Sequence, residues 1–194
     1  MVQMRAVSEV KSEYDAEQPV IEAIRAGDRF AFDEFVRRQG SWVRGVVFGV
    51  LGNSDRLDDV CQQVWTAVWE QASRLKDSAR WRPWLYSLAR NAAVDAGRSQ
   101  TRRRKLARAI AETPNVITCV ASAGPDVQAA ERRSMVFDAV QGLPPLYREP
   151  FVLRHLAGWN YQQISEVMGL PLDTVETRLV RARRLLRSAL EGKV

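Results

Sequence analysis

The stretch from Asn160 to Leu190 constrains this chain most, because within it a helix is started, stopped and restarted over a few residues. The Asn160 side chain can accept a free backbone N–H of a first turn, and Gln163 can reach back to complete a capping box. Ile164, Val167 and Met168 then give a short helix one apolar side. Gly169 suits the left-handed residue that ends a helix, and Pro171 blocks simple continuation. Asp173 with Glu176 repeats the capping-box spacing and predicts a second helix after a tight connection. A short helix, a glycine-containing turn and a second helix make the outline of a helix-turn-helix.

On the second helix, at about 100° per residue, Val175, Leu179, Ala182, Leu186 and Ala189 fall in one narrow arc. Thr177, Val180, Arg181, Arg184 and Arg187 lie opposite, with Arg178 and Arg183 on the flanks. A solvated face usually mixes charge signs to limit self-repulsion, whereas this one is nearly all arginine. Glu176 stands near the N-terminus, where the helix dipole favours it. Such a face suits a recognition helix in a DNA major groove, with N-terminal residues at base edges and arginines on phosphates. The other reading of the same pattern is a basic amphipathic helix packed in a bundle or lying on a membrane.

Charge supports a polyanionic partner, most simply nucleic acid: the formal net charge is +6 and the pI about 9.8. The 194 residues suffice for one domain or two small ones, and 46% hydrophobic residues can supply a packed core. Cys61 and Cys119 are the only cysteines and His155 the only histidine. A zinc finger is therefore excluded, a Cys/His catalytic pair is disfavoured, and no cofactor is expected. Cys61 lies in an apolar helical pattern and reads as core; Cys119 falls in a linker-like stretch. With no signal segment and no apolar run of transmembrane length, the expected setting is the cytoplasm, without membrane insertion.

Strand-like alternation is almost absent, so the fold class expected is all-α: two small helical domains joined by a flexible linker. Residues 1–19 read as a disordered tail, being polar and short of large apolar residues. Residues 20–108 form a first helical domain, with Ile21, Ile24, Phe30, Phe32, Phe35 and Val36 available for its core. Gly52-Asn53 breaks the apolar run that ends at Leu51. From Asp55 to Gln71 a strong helix buries Leu57, Val60, Cys61, Val64, Ala67 and Val68. Its other side, with Asp59, Gln62, Gln63, Thr66 and Glu70, is acidic and amide-rich and carries no lysine. That side is either a solvated surface or a partner-binding one; Trp65 and Trp69 at its edge point to the latter.

After a polar loop from Ser73 to Arg80, Trp81-Arg82-Pro83-Trp84 opens another helix, with proline tolerated in the first turn. Leu85, Leu88, Ala89 and Ala92 face inward, while Ser87, Arg90, Asn91, Val94 and Arg98 face out, and Gly97 weakens the end. The run Arg102-Arg103-Arg104-Lys105 follows. Aromatic residues beside a basic helix are the ingredients of single-strand binding, where rings stack on bases and cations follow phosphates. The plainer alternative puts the tryptophans in the core and the arginines in water. Pro114, Gly124 and Pro125 mark residues 109–130 as a linker. Residues 131–194 make the second domain, in which Phe151, Val152, Leu153 and Leu156 would pack under the helix-turn-helix.

These pieces in this order resemble the extracytoplasmic-function (ECF) group of bacterial RNA polymerase sigma factors. The resemblance rests on Leu143-Pro144, on Tyr161-Gln162-Gln163-Ile164-Ser165, and on the run from Thr174 to Arg183. In the first half it rests on Asp59-Val60-Cys61-Gln62 and on the run from Trp84 to Asp95. It implies a two-domain factor with no enzymatic activity of its own. The first domain would dock on the β′ clamp helices of core RNA polymerase through Asp59, Gln62, Gln63 and Trp69. It would also capture unstacked bases of the promoter −10 element through the loop from Ser73 to Arg80 and through Ser87, Arg90, Asn91, Arg98, Arg102, Arg103, Arg104 and Lys105. Extruding a base costs a few kcal/mol, so a pocket for it turns binding energy into strand opening. The second domain would read the −35 element as duplex, with Glu176, Thr177, Val180 and Arg181 at the bases and Thr174, Arg178, Arg183 and Arg184 on phosphates. Promoter DNA and an anti-sigma factor are the further partners implied.

Three positions depart from the family pattern. Gln63 stands where an acidic residue is frequent, Ser165 where a small apolar one is usual, and Glu176 at a base-reading position could accept from cytosine N4. The rival from the same chemistry is a stand-alone helix-turn-helix regulator binding duplex operator, which leaves the Asp59 face and the Trp81 region without a role. An all-α metal hydrolase built on the clustered acids is disfavoured, since no Glu-x-x-His pair exists.

Overall fold

The computed structural model describes residues 17–110 and 127–191, the side chains of 103–110 and 127–133 excepted, and among them every regular element is helical. Helix α1 covers residues 17–25. Helix α2 (Arg29–Leu51) starts where the Asp28 carboxylate accepts the Phe30 and Ala31 amides at 2.8 and 3.1 Å. It stops at Gly52, whose φ of 71° is left-handed. Helices α3 (Leu57–Gln71) and α4 (Trp81–Ile110) complete the front half, joined by two short 3-10 turns at Ala72–Arg74 and Ser78–Arg80. Phe35, Val43, Val47, Val60, Val64, Val68, Trp81 and Leu85 are fully enclosed between them. The Phe35 and Trp81 rings meet edge-on at 5.3 Å. Each such side chain contributes about 1.5–3 kcal/mol by leaving water.

The rear half comprises α5 (Val127–Gln141), α6 (Pro145–His155), α7 (Tyr161–Met168) and α8 (Leu172–Leu190). Both arms of the Asn160–Gln163 capping box are formed, and Gly169 closes α7 at φ 63°. Ile164 and Val167 from α7 and Val175, Leu179, Ala182 and Leu186 from α8 are buried with Val152 and Leu153 of α6.

The halves meet where α6 crosses α2. A Cβ on Gly45 would lie 3.2 Å from a Val152 methyl, and one on Gly49 would lie 3.3 Å from the Glu149 backbone, so the absent side chains permit the close approach. Arg148 then acts as a cap supplied from outside. Its guanidinium donates to the carbonyls of Gly49 (2.8 Å) and Val50 (3.1 Å) at the end of α2, and to those of Gln141 (2.6 Å) and Leu143 (2.9 Å) at the end of α5. Neither helix has a basic residue in its own last turn. A cation there meets both the orphan carbonyls and the negative end of the helix dipole. A side chain at position 52 would collide with that guanidinium. Trp42 packs on Trp159 at 5.1 Å, and Phe48 stacks on Phe137 at 4.9 Å, so one apolar core runs through both halves.

Several local expectations are corrected. Residues 17–19 are helical and Glu17 is buried, so the tail is shorter than 1–19; residues 1–16 lie outside the described residues. Phe30 is 79% exposed, because it occupies the first turn of α2 beyond the bundle. Gly97 does not end α4, which continues to Ile110. Helix also occupies 109–110 and 127–130; the rest of the 109–130 stretch, Cys119 included, lies outside the described residues. Asp173 and Glu176 form no capping box, since α8 already begins at Leu172 after Pro171 and Asp173 sits inside its first turn. Leu156 is 63% exposed past the end of α6, and Ala189 is exposed near the end of α8.

Candidate nucleic-acid interface

The outward face of α8 is open. Glu176, Thr177, Val180, Arg181, Arg183 and Arg184 are all exposed, and Thr174 and Arg178 are half-buried at the margin. Val175, Leu179 and Ala182 pin the opposite face into the core, which fixes the rotation of the helix and so the direction of every arginine. Among the described residues none of these arginines forms a salt bridge. Arg178 points away from the others and helps line a cleft beside α4.

That cleft, of about 570 Å³, holds the corresponding face of α4. Ser87, Arg90 and Asn91 line one wall, while Leu146, Met168, Leu170 and Arg178 of the rear half line the other. Asn91 and Ser87 are exposed, but the Ser87 hydroxyl donates back to the Pro83 carbonyl at 2.8 Å. Arg90 is engaged: its Nε donates to the Glu149 carboxylate at 3.0 Å, and the Tyr86 hydroxyl donates to the same oxygen at 3.1 Å. The hydrogen bond from Arg90 to that carboxylate raises the guanidinium pKa, and burial is the main reason that the Tyr86 phenol is pushed above its ordinary range. Arg98 lies farther along, 3.8 Å from Asp95, and Arg102 is exposed. Arg103, Arg104 and Lys105 continue the helix, but their side chains lie outside the described set.

On α3, Asp59, Gln62 and Gln63 are exposed and share a shallow groove with Arg56, Thr66, Ala67 and Glu70. Trp69 is not in it. With Phe32, Cys61 and Trp65 it lines a neighbouring depression, and Gln62 borders both. Trp69 meets Phe32 edge-on at 5.2 Å, and Arg44 of α2 pairs with Asp58 at the rim. Cys61 is buried there, and burial pushes its thiol pKa up, which keeps it protonated and unreactive.

Comparison with known proteins assigns these two halves. Residues 35–103 match the family model for sigma-70 region 2, and residues 133–186 match that for sigma-70 region 4. The RNA polymerase sigma factor CarQ of Myxococcus xanthus is 31% identical over 171 residues, covering 88% of this chain and 95% of that one. The chain belongs to the ECF group of sigma-70 family sigma factors. The ECF RNA polymerase sigma-E factor of Haemophilus influenzae is 26% identical over 181 residues, with 90% and 95% covered. In fold, the sigma factor is similar to CnrH, solved in complex with the cytosolic domain of CnrY, at a TM-score of 0.64 and 24% identity over 92% of this chain and 99% of that one. The sigma factor directs transcription initiation, and the region 2 match accounts for the half of the molecule that a stand-alone regulator would leave idle. Among the described residues no helix is long and apolar enough to cross a membrane, and no cluster of three potential metal ligands occurs.

Sequence reasoning missed Tyr86, Arg148 and Glu149. A signal was present: Arg148 and Glu149 stand one helical turn before Val152 and Leu153 and so share the phase of the core residues.

Proposed function

We propose that the sigma factor divides its promoter between the two halves, with residues 20–108 and 131–194 as the working units. Glu176, Thr177, Val180 and Arg181 read −35 base edges, while Thr174, Arg178, Arg183 and Arg184 hold phosphates. Ser87, Arg90, Asn91, Arg98 and the basic run from Arg102 to Lys105 take the melted −10 strand. Asp59, Gln62, Gln63 and Trp69 dock on the polymerase β′ clamp helices. The observation carrying this reading is the open arginine face of α8, backed by a buried apolar arc, on the same molecule as the acidic and amide groove of α3. One is chemistry for a polyanion and the other is not. The factor acts in the cytoplasm and catalyses nothing itself. An anti-sigma factor holds it in check, a reading supported by the likeness to the sigma factor RpoE of Bartonella quintana, solved with the anti-sigma factor NepR.

Run-off transcription with core polymerase on a promoter library, with and without this protein, is the test. Initiation that depends on the protein and starts at a shared −35/−10 motif is expected. Tight operator binding with no core-dependent initiation would overturn the assignment of faces.

A further inference from the structure

We propose that Glu176 and Val180 fix two positions of the −35 element: Glu176 selects a cytosine through its N4 amino group, and Val180 selects a thymine one to two base pairs away through its methyl group. This inference rests on the reading of α8 as the −35 face and supplies base identities for it. A glutamate on an exposed helix face is commonly paired with a cation one turn away. In the front half Glu22 pairs with Arg25 at 2.7 Å and Glu34 with Arg38 at 2.8 Å. Glu176 shares α8 with five arginines, yet it is exposed and forms no salt bridge among the described residues. Leu179 and Val180 stand at the next turn, so no arginine of its own helix neutralises it from there. Nor does the helix dipole account for it. The helix begins at Leu172 with no side-chain cap, so the first-turn acid is Asp173, and Glu176 lies past the turn in which the dipole acts.

A carboxylate facing DNA is repelled by the phosphates, so it favours binding only where a base edge offers it a donor. Cytosine presents its N4 amino group in the major groove. Guanine presents the acceptors N7 and O6, thymine the acceptor O4, and adenine the N6 donor beside the N7 acceptor. The order expected opposite Glu176 is therefore cytosine, then adenine, then thymine and guanine, because against an acceptor the carboxylate is desolvated without a partner. Val180 leaves 53% of its surface in water, although its neighbours on that face are Arg181 and Arg184. The thymine methyl is the apolar feature of the groove that such a side chain can meet. Glu176 and Val180 stand one helical turn apart, about 6 Å along the axis, which spans fewer than two base-pair steps of about 3.4 Å. Val175 and Leu179, buried behind them, hold both on the outward side.

The test offers holoenzyme, made from core polymerase and the full chain, a promoter library with the −35 element randomised, and sequences the transcripts. The wild-type chain should enrich cytosine over adenine about tenfold at one position. Glu176→Gln should turn that preference to adenine, because a carboxamide pairs with adenine N6 and N7, and should leave the other positions as they were. Asp173→Asn removes the same charge from the first turn and should raise binding of all sequences alike. Replacing the neighbouring thymine by deoxyuridine, which lacks the methyl, should weaken the wild-type chain about threefold and the Val180→Ala chain not at all. A general gain from Glu176→Gln with no change of base preference would mean a solvated acid and overturns the assignment, as does a switch produced by Asp173→Asn. A cytosine switch with no methyl-sensitive thymine within about two base pairs overturns the role of Val180. If initiation persists with no −35 preference at all, the −35 reading of α8 falls and this inference with it.

Discussion

Helices α4 and α8 present the same chemistry in two states. Both turn an arginine-bearing face away from an apolar arc. Arg181, Arg183, Arg184 and Arg187 of α8 are exposed, with no carboxylate in salt-bridge contact among the described residues, whereas Arg90 on α4 is already held by Glu149 and sits in a cleft lined by the other half. Duplex DNA can reach α8 from solution as the molecule stands. On the proposed −10 reading, a melted strand would engage Arg90 only at the expense of its contact with Glu149. One basic face is a permanent surface, and the other is conditional.

The largest way to break this comparison is to remove the support under the open face. Leu179 is 2% exposed beneath α8, and Leu179→Ala should cost about 2–5 kcal/mol through lost burial and a residual cavity. Binding of −35 duplex should be lost at temperatures where core polymerase, docking through α3 as proposed, is still bound. Loss of both together, followed by chemical denaturation and by polymerase pull-down, would mean that the rear half's stability is inseparable from that of the front.

Arg148→Ala acts on the conditional face. It leaves the carbonyls of Gly49, Val50, Gln141 and Leu143 without their donor, at a cost of about 1–3 kcal/mol after water re-enters. Thermal unfolding should shift downward while −10 oligonucleotide binding rises, because unseating α6 removes Glu149 from Arg90. A stability loss with unchanged oligonucleotide binding would show that Val152 and the Trp42–Trp159 pair seat α6 without Arg148.

The open face was legible in the sequence and the conditional one was not, for a physical reason. The signals for α7 and α8 are local: Asn160 and Gln163 cap each other three residues apart, Gly169 takes its left-handed φ alone, and arginine phase is read along one helix. The capping box at Asp173 and Glu176 was misread because Pro171 already has a backbone from which Leu172 can enter the helix. By contrast, the partners of Glu149 lie 59 and 63 positions away, and those of Arg148 up to 99. No spacing rule reaches that far. Gly97 was over-weighted as well: a single glycine lowers helix propensity without ending a helix, and α4 runs on through it to Ile110.

Within the open face, two neighbouring arginines sharpen the division between reading and holding. Arg181→Ala should cost about 1–3 kcal/mol at the preferred −35 sequence and relax the preference at the base it reads. Arg183→Ala should weaken all sequences alike and reduce the salt slope by about 1. Competition binding at several salt concentrations separates the two, and identical behaviour would remove the distinction between base and phosphate roles on α8.

The smallest expected effect is a pH dependence confined to the open side. His155, the only histidine, ends α6 with its ring 4.4 Å from that of Phe151. Burial lowers its pKa first, and the charges of Arg154 and of Arg183 lower it further. The folded chain therefore binds this proton more weakly than the unfolded chain, whose histidine titrates near about 6.5. Stability from this group is complete above that pH and is lost as pH falls through it toward the folded value. Acidification from neutral to mildly acid buffer should lower the melting temperature slightly, and His155→Gln should remove that component. A phosphate bound at Arg183 offsets one of the causes, so bound −35 duplex should shrink the pH dependence, whereas a −10 oligonucleotide on α4 should leave it unchanged. If both ligands shrink it equally, the single strand also reaches the α6–α8 corner, and the two faces are not the separate surfaces described above.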